Sequence, residues 1–269
     1  MVYTNTMLII DMQNDFCSTD GALYVNGADM DVERLDAFLL NNANKIGFIY
    51  LTADSHYPGH IGSITAWRDE NGVCPSSGTV ITLEDVKNKK YTCVSLSEFE
   101  VELQLSLMKR HNKELIVWPA HCLRGNEGSN ISGELMPSIF SMFILHNTEY
   151  KILEKGMVNG FEQYSALTPG FGDDLVLTDD KQQREMIEIL KSSNNIYVAG
   201  EAMDYCVRET IGDICKYHPY LVSKMTLLKD CMSPIDVNFN MEEDDIYKRF
   251  IQLGGKISTS VETELKEQY

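Results

Sequence analysis

No apolar run in the 269 residues approaches the roughly 18 that a membrane-spanning helix needs, so a membrane partner is not expected. Neither GxGxxG nor GxxxxGK occurs, which leaves nucleotide binding without support, and the absence of GxSxG argues against a serine hydrolase. Positive charge is scarce: 23 Lys and Arg stand against 40 Asp and Glu, a net charge of −17. Nucleic-acid phosphates require clustered Lys and Arg, so no nucleic-acid partner is expected. Seven cysteines, an odd number without a CxxC pair, follow a start that lacks a positively charged stretch. The expectation is free thiols in a reducing, cytoplasmic setting. No stretch rich in Pro or Gly divides the chain. One domain over residues 1–269 is therefore expected, with the weakly patterned, polar segment at about 69–100 as an elaboration.

What is present is a series of strand-sized apolar blocks: Met7–Ile10, Ile46–Leu51, Leu115–Trp118, Tyr150–Leu153 and Ile196–Ala199, with Tyr220–Val222 and Met225–Leu228 as weaker candidates. Short unalternating runs read as strands buried on both faces. Helical spacing appears between them. Val32, Leu35, Phe38 and Leu39 share a face within Asp31–Asn44, and Leu96, Phe99, Leu103 and Leu107 do so within Leu96–Lys109. Lys181–Lys191, Val207–Tyr217 and Met241–Gln252 complete the series, while the last ~30 residues, with Glu242–Asp245, read as a solvated acidic end. Alternation of this kind predicts an α/β fold, a doubly wound and mostly parallel sheet with helices on both faces.

Chemistry-bearing residues follow the apolar blocks: Asp11, Asp54 and His56, His121, Lys155 and Cys206. In open α/β sheets ligands bind beyond the carboxyl ends of strands, so five blocks deliver polar groups to one edge. Asp54, His56 and His60 place three metal-type ligands within seven residues, and His121 offers another. Cys206 stands where a helix begins, a position that lowers a thiol pKa. Each also has a plain alternative: Asp11 as a turn residue, the histidines as loop residues, Lys155 as a solvated cation, Cys206 as an inert buried thiol.

Five blocks in order, IIDMQNDF, TADSHYPGH, WPAHCLRGNEG, EKG with YSAL, and GEAMDYCV, resemble the isochorismatase-like superfamily of cysteine hydrolases, and the nicotinamidases within it. The resemblance spans roughly residues 7–207. It implies six parallel strands and a triad of Asp11, Lys155 and Cys206. It implies oxyanion donors at Ala202 and Cys206, with a cis peptide between Glu201 and Ala202. One divalent metal, zinc first with iron or manganese also suitable, is implied at Asp54, His56 and His121, and His60 is a ligand in some members. Phe16, Trp118 and Tyr164 fall where members hold the substrate ring. The implied reaction releases ammonia from a small carboxamide, nicotinamide first, through a Cys thioester. Ser55, where an aromatic residue is common, and the extra 69–100 segment motivate an alternative, a cysteine amidohydrolase for another small amide such as an N-carbamoyl compound. A non-catalytic binding protein on the same fold is the competing class. A homo-oligomer is a further expectation, closed assemblies being common among soluble enzymes.

Overall fold

The computed structural model describes residues 3–168 and 181–267. Among the described residues, ten strands run in chain order: β1 (Tyr3–Ile10), β2 (Phe48–Asp54), β3 (Trp67–Asp69), β4 (Thr79–Ile81), β5 (Tyr91–Cys93), β6 (Leu115–Val117), β7 (Glu149–Lys155), β8 (Ser193–Gly200), β9 (Met225–Leu228) and β10 (Lys256–Ser258). Six of them form one sheet in the order β10-β9-β8-β1-β2-β7, with every pairing parallel. The α/β expectation and the strand number both hold. The chain winds outward from β1 through β2 to β7, then returns to β8 on the other side of β1. The crevice between β1 and β8 is thus the switch point where such sheets bind ligands.

Side-chain alternation along β1 sorts the core into two layers. Met7 and Ile9 point into one, with Leu51 and the α2 helix (Ala28–Asn41, after the short α1, Asn14–Cys17). Leu8 and Ile10 point into the other, with Phe48, Tyr50 and Val198. The spaced stripe on α2 is buried as expected: Val32, Leu35, Phe38 and Leu39 all face the first layer.

Three expectations fail, each for a local reason. Leu115–Trp118 supplies β6, but β6 pairs antiparallel with β4, outside the main sheet. Three apolar residues cannot by themselves say which sheet will cover them. Tyr220–Val222 is helical, because Pro219 starts a short turn of helix there. The sixth strand is instead β10, a KIS triplet inside the supposed solvated end. That end is not solvated throughout: Tyr247, Phe250 and Leu265 are buried, and Asp244 of the acidic run caps the helix Asp245–Gln252 through the N–H groups of Ile246 and Tyr247.

The 69–100 segment is built rather than loose. It carries β4, the helix α3 (Leu83–Lys87), β5 and the start of α4 (Glu98–Arg110). Both helices open on capping boxes, Thr82 with Asp85 and Ser97 with Glu100. Together with Ile61, Trp67, Leu115 and Val117, the residues Ile81, Val101, Leu105 and Met108 make a third, separate apolar core. The buried stripe of α4 is Val101, Leu105, Leu107 and Met108, whereas Phe99 of the expected stripe is exposed. α4 packs on this small core and not on the main sheet, which rotates its inward face.

Candidate active site

Asp11 follows the last residue of β1 and turns back with φ +48°, a left-handed conformation that Asp tolerates better than branched residues. Its N–H meets the Thr52 carbonyl at 3.2 Å, and its Oδ1 accepts the Thr52 hydroxyl at 2.6 Å. Lys155 closes β7, two strands away, in register with Asp54 at the end of β2. Its ammonium is fully buried, 2.8 Å from Asp11 Oδ2, 2.6 Å from Asp54 Oδ1 and 3.4 Å from Cys206 Sγ. A buried lysine is costly unless paired. Here burial by itself would lower its pKa, but Asp11 and Asp54 outweigh it and hold the ammonium well above the ordinary lysine range. A solvated Lys155 is excluded by this geometry.

Cys206 lies on a π-turn, Met203–Val207, after β8, and the regular helix α7 (Arg208–Tyr217, following α5, Leu135–His146, and α6, Lys181–Ser192) starts two residues later. Tyr205 and Val207 N–H both donate to the Ala202 carbonyl at 3.1 Å, which fixes the turn. Gly200, with φ +141°, is required where β8 meets β1, since a Cβ there would lie 2.1 Å from the Ile10 carbonyl oxygen. The Glu201–Ala202 peptide is cis. Against the expectation of an acidified thiol, burial pushes the Cys206 thiol well up, while the Lys155 ammonium, 3.4 Å from its sulfur, pulls against that. Burial likewise raises Asp11, with Lys155 opposing. The arrangement is a thiol and a carboxyl group with one ammonium beside both, 2.8 Å from Asp11 Oδ2 and 3.4 Å from Cys206 Sγ.

Asp54, His56 and His121 bring their donor atoms within 4.8 Å of one another, and all three are buried in the site. Asp54 Oδ2 is 3.6 Å from His56 Nε2 and 3.9 Å from His121 Nε2. Two strands and two loops build this. The His56 N–H donates to the Cys122 carbonyl at 3.0 Å and the Arg124 N–H to the His56 carbonyl at 3.0 Å, so the two histidine loops run side by side. Gln13 clamps Asp54 on both sides, donating from Nε2 to the Asp54 carbonyl at 2.8 Å and accepting the Asp54 N–H at 2.7 Å. His56 Nδ1 faces the Gly156 carbonyl at 3.0 Å and His121 Nδ1 the Pro119 carbonyl at 2.8 Å. With each Nδ1 donating there, each ring in its neutral form would turn an Nε2 lone pair to a metal beside Asp54 Oδ2. Burial and the neighbouring His56 bring His121 down to about 4, so it is neutral at pH 7. The donor set fits a divalent ion of the zinc, iron or manganese type.

His60 is not brought to this set. Its Nε2 faces the Phe161 carbonyl at 3.0 Å and its Nδ1 accepts the Gly62 N–H at 3.1 Å, so backbone engages both nitrogens, although its ring lies 4.3 Å from that of His56. Trp118 and Tyr164 do meet, the indole N–H donating to the phenol oxygen at 3.1 Å. Tyr205 joins them with ring centroids 5.2 and 5.4 Å away. Phe16 stands apart, 5.3 Å from the His121 ring. A cleft of about 780 Å³ between α4, β6 and the start of α7 reaches this cluster at Glu162, Tyr164 and Tyr205.

Sequence reasoning missed Thr52, Gln13, Tyr205 and Glu162. Gln13 and Tyr205 sit inside the IIDMQNDF and GEAMDYCV blocks, but their roles come from cross-chain partners. Glu162 is buried beside the histidines, and desolvation raises its carboxyl to about 7.

No family model matches the chain. It is 26% identical over 232 residues to the nicotinamidase of Saccharomyces cerevisiae, covering 86% of this chain and 88% of that one. The structure of the yeast nicotinamidase bound to the inhibitor nicotinaldehyde superposes with a TM-score of 0.64 at 19% identity, over 95% of this chain and 100% of that chain. A pyrazinamidase of Pyrococcus horikoshii in complex with zinc gives 0.54 at 19% identity, over 95% and 98% of the two chains. Taken with its parallel six-stranded sheet, these similarities show that the chain has the fold of the nicotinamidase structures and is similar in sequence to yeast nicotinamidase over most of its length.

Proposed function

We propose that the protein hydrolyses nicotinamide to nicotinate and ammonia through a thioester on Cys206. The observation that carries this reading is the Lys155 ammonium within 2.8 Å of Asp11 and 3.4 Å of Cys206 Sγ, beside three convergent metal donors. Sequence similarity to yeast nicotinamidase supports the substrate.

Asp11 takes the thiol proton as Cys206 Sγ attacks the amide carbon. No prior acidification is needed, since Lys155 bridges base and thiol and brings both to one ammonium. Lys155 keeps Asp11 oriented and favours charge on sulfur. The N–H groups of Ala202 and Cys206 face the oxyanion, and a donor of this type contributes on the order of 3 kcal/mol to the transition state. As the C–N bond breaks, Asp11 returns its proton to the leaving nitrogen, giving ammonia. Water then attacks the thioester, Asp11 taking its proton and passing it back to sulfur. Such acid–base help is worth roughly 10²–10⁴ in rate.

Asp54, His56 and His121 would hold the metal, with zinc proposed first. When bound, the ion supplies Lewis-acid polarisation and orients the ring nitrogen or a water. Trp118, Tyr164 and Phe16 form the ring-binding walls, joined by Tyr205. His60 is a neighbour that props His56. The reading takes residues 1–269 as one cytoplasmic hydrolase domain that assembles as a homo-oligomer.

Ammonia release from nicotinamide, set against an N-carbamoyl amide panel, tests the substrate. Turnover of nicotinamide well above the panel is expected, and turnover confined to carbamoyl compounds would transfer the same chemistry to them. Metal content tests the second centre. Asp54→Ala, His56→Ala and His121→Ala should each cut bound metal, by elemental analysis, about 10-fold or more from about one ion per chain, since a ligand weighs at least as much as the outer-shell partners that cost 10–100-fold. His60→Ala should leave most of it. Full metal in the first three, or equal loss in the fourth, would reject the assignment.

A further inference from the structure

Two buried carboxyl groups behind the Ala202–Cys206 turn take no part in that chemistry. Glu201 follows β8 and Asp31 lies in the first turn of α2, and they are 0% and 1% exposed. Glu201 Oε2 accepts the Ser233 N–H at 3.1 Å, and Asp31 Oδ1 is paired with Arg34. The remaining oxygens, Glu201 Oε1 and Asp31 Oδ2, are buried with no donor among the described residues. Gly27, just before α2, backs onto Ser233, where a Cβ would lie 3.1 Å from the hydroxyl oxygen, so the first turn of α2 lies against the residue that binds Glu201, and Asp31 is the charged group that raises Glu201 most after burial. Ionised carboxylates only accept, and two of them in contact away from water cannot both carry charge. One proton satisfies both orphaned oxygens at once.

The geometry points to a single proton shared between Glu201 Oε1 and Asp31 Oδ2, with Glu201 acting as a positioning residue that ties the oxyanion turn to α2. The second half of this inference rests on the amidase reading above. The tie is direct. Ser233 donates to Glu201 and accepts the Met203 N–H at 2.9 Å, while the Asp204 carboxylate accepts the N–H groups of Ile235 and Asp236 at 2.9 and 2.8 Å. The turn is thus strapped to residues 233–236 at two points, and Glu201 carries the first strap on to α2. Cys17, Asp29, Arg34, Asp204, Asp230 and Cys231 are the titratable or charged groups facing the pair, and Arg34 is the one cation among them. Arg34 engages Asp31 and the Asp230 carbonyl, so it balances one negative charge and not two. Losing the shared proton would set two anions against each other one peptide from Ala202.

The sign is fixed by the burial that raises Glu201 above its ordinary value of 4.5. A folded state that binds the proton more tightly is most stable, relative to the unfolded chain, below that value and loses the advantage as pH rises. Glu201→Gln keeps a donor to Asp31 at every pH, and Asp31→Asn supplies one from the other side. The test measures Tm and kcat/KM for nicotinamide across pH for wild type and both variants. Tm of each variant should gain on wild type as pH rises. The variant to wild-type ratio of kcat/KM should be near one at about pH 6 and then climb about tenfold per pH unit once the shared proton leaves. Taking the ratio removes the titrations of Lys155 and Cys206, which are common to both. A Tm difference that does not change with pH in either variant overturns the shared proton. A pH-dependent Tm difference with a constant rate ratio overturns the positioning role alone. If no amide is turned over, the amidase reading fails while the Tm series still decides the proton.

Discussion

Cys206→Ala is expected to lower kcat/KM on the order of 10⁵–10⁶-fold, the scale of deleting a nucleophile whose partners act only through it. Folding and metal loading should survive. The thiol is 5% exposed, and trimming one buried sulfur to a methyl group costs about 1 kcal/mol when its neighbours close in. Asp11, Lys155 and Asp54 keep their mutual contacts without it. Ammonia release, Tm and elemental analysis on one preparation check all three statements. Residual turnover within 100-fold of wild type, in protein of unchanged Tm and metal content, would move the nucleophile elsewhere.

Lys155→Met should be costly to folding as well as to rate. The ammonium is the shared counter-charge of two buried carboxylates, and methionine keeps its length while leaving both unpaired. Breaking a buried pair in this way costs about 3–5 kcal/mol. Asp11→Asn added to Lys155→Met removes one stranded charge and should return part of that stability without returning activity. The pH dependence follows from the shifts. Asp54 is held below the ordinary Asp range, since its partners Lys155 and His56 outweigh its burial, so its contribution is present above about 3.8 and lost in acid. Lys155 is held high, so its contribution persists at neutral pH and is lost only as pH climbs through its raised value. The deficit of Lys155→Met should therefore be widest near neutrality and narrow in acid, where Asp11, already raised by burial, accepts a proton. Urea unfolding at a series of pH values checks this, and a deficit independent of pH would contradict it.

The parallel sheet and the strand ends were legible because buried strands carry unbroken apolar runs, and Met7–Ile10 is wholly buried as its composition demands. Asp11, Asp54, His56, Lys155 and Cys206 were legible by position, since each follows such a run. Partnership was not. That Asp54 serves Lys155 with one oxygen and faces two histidines with the other depends on the register of β2 against β7, which no local pattern encodes. His60 shows the same limit in reverse. Its spacing from His56 is what a ligand would have, but the backbone carbonyl of Phe161, 101 residues away, claims its ring. β10 was missed because three residues at a sheet edge need little hydrophobicity, and the stripe of α4 because its packing partner is the small core and not the main sheet.

That small core has a mechanical consequence. Trp118 and the loop to His121 emerge from β6, which pairs with β4 and not with the six strands that carry Asp11, Lys155 and Asp54. The site is therefore bolted to two foundations, and regions with separate cores open with separate free energies. Loosening the lesser one, for instance by trimming Leu105 or Val117, would withdraw a histidine and an aromatic wall together while the thiol, carboxylate and ammonium stay seated. Hydrogen exchange would register it as early opening of residues 61–117, and on the proposed reading the lesion would surface as a weakened grip on metal and ring long before the whole chain melted.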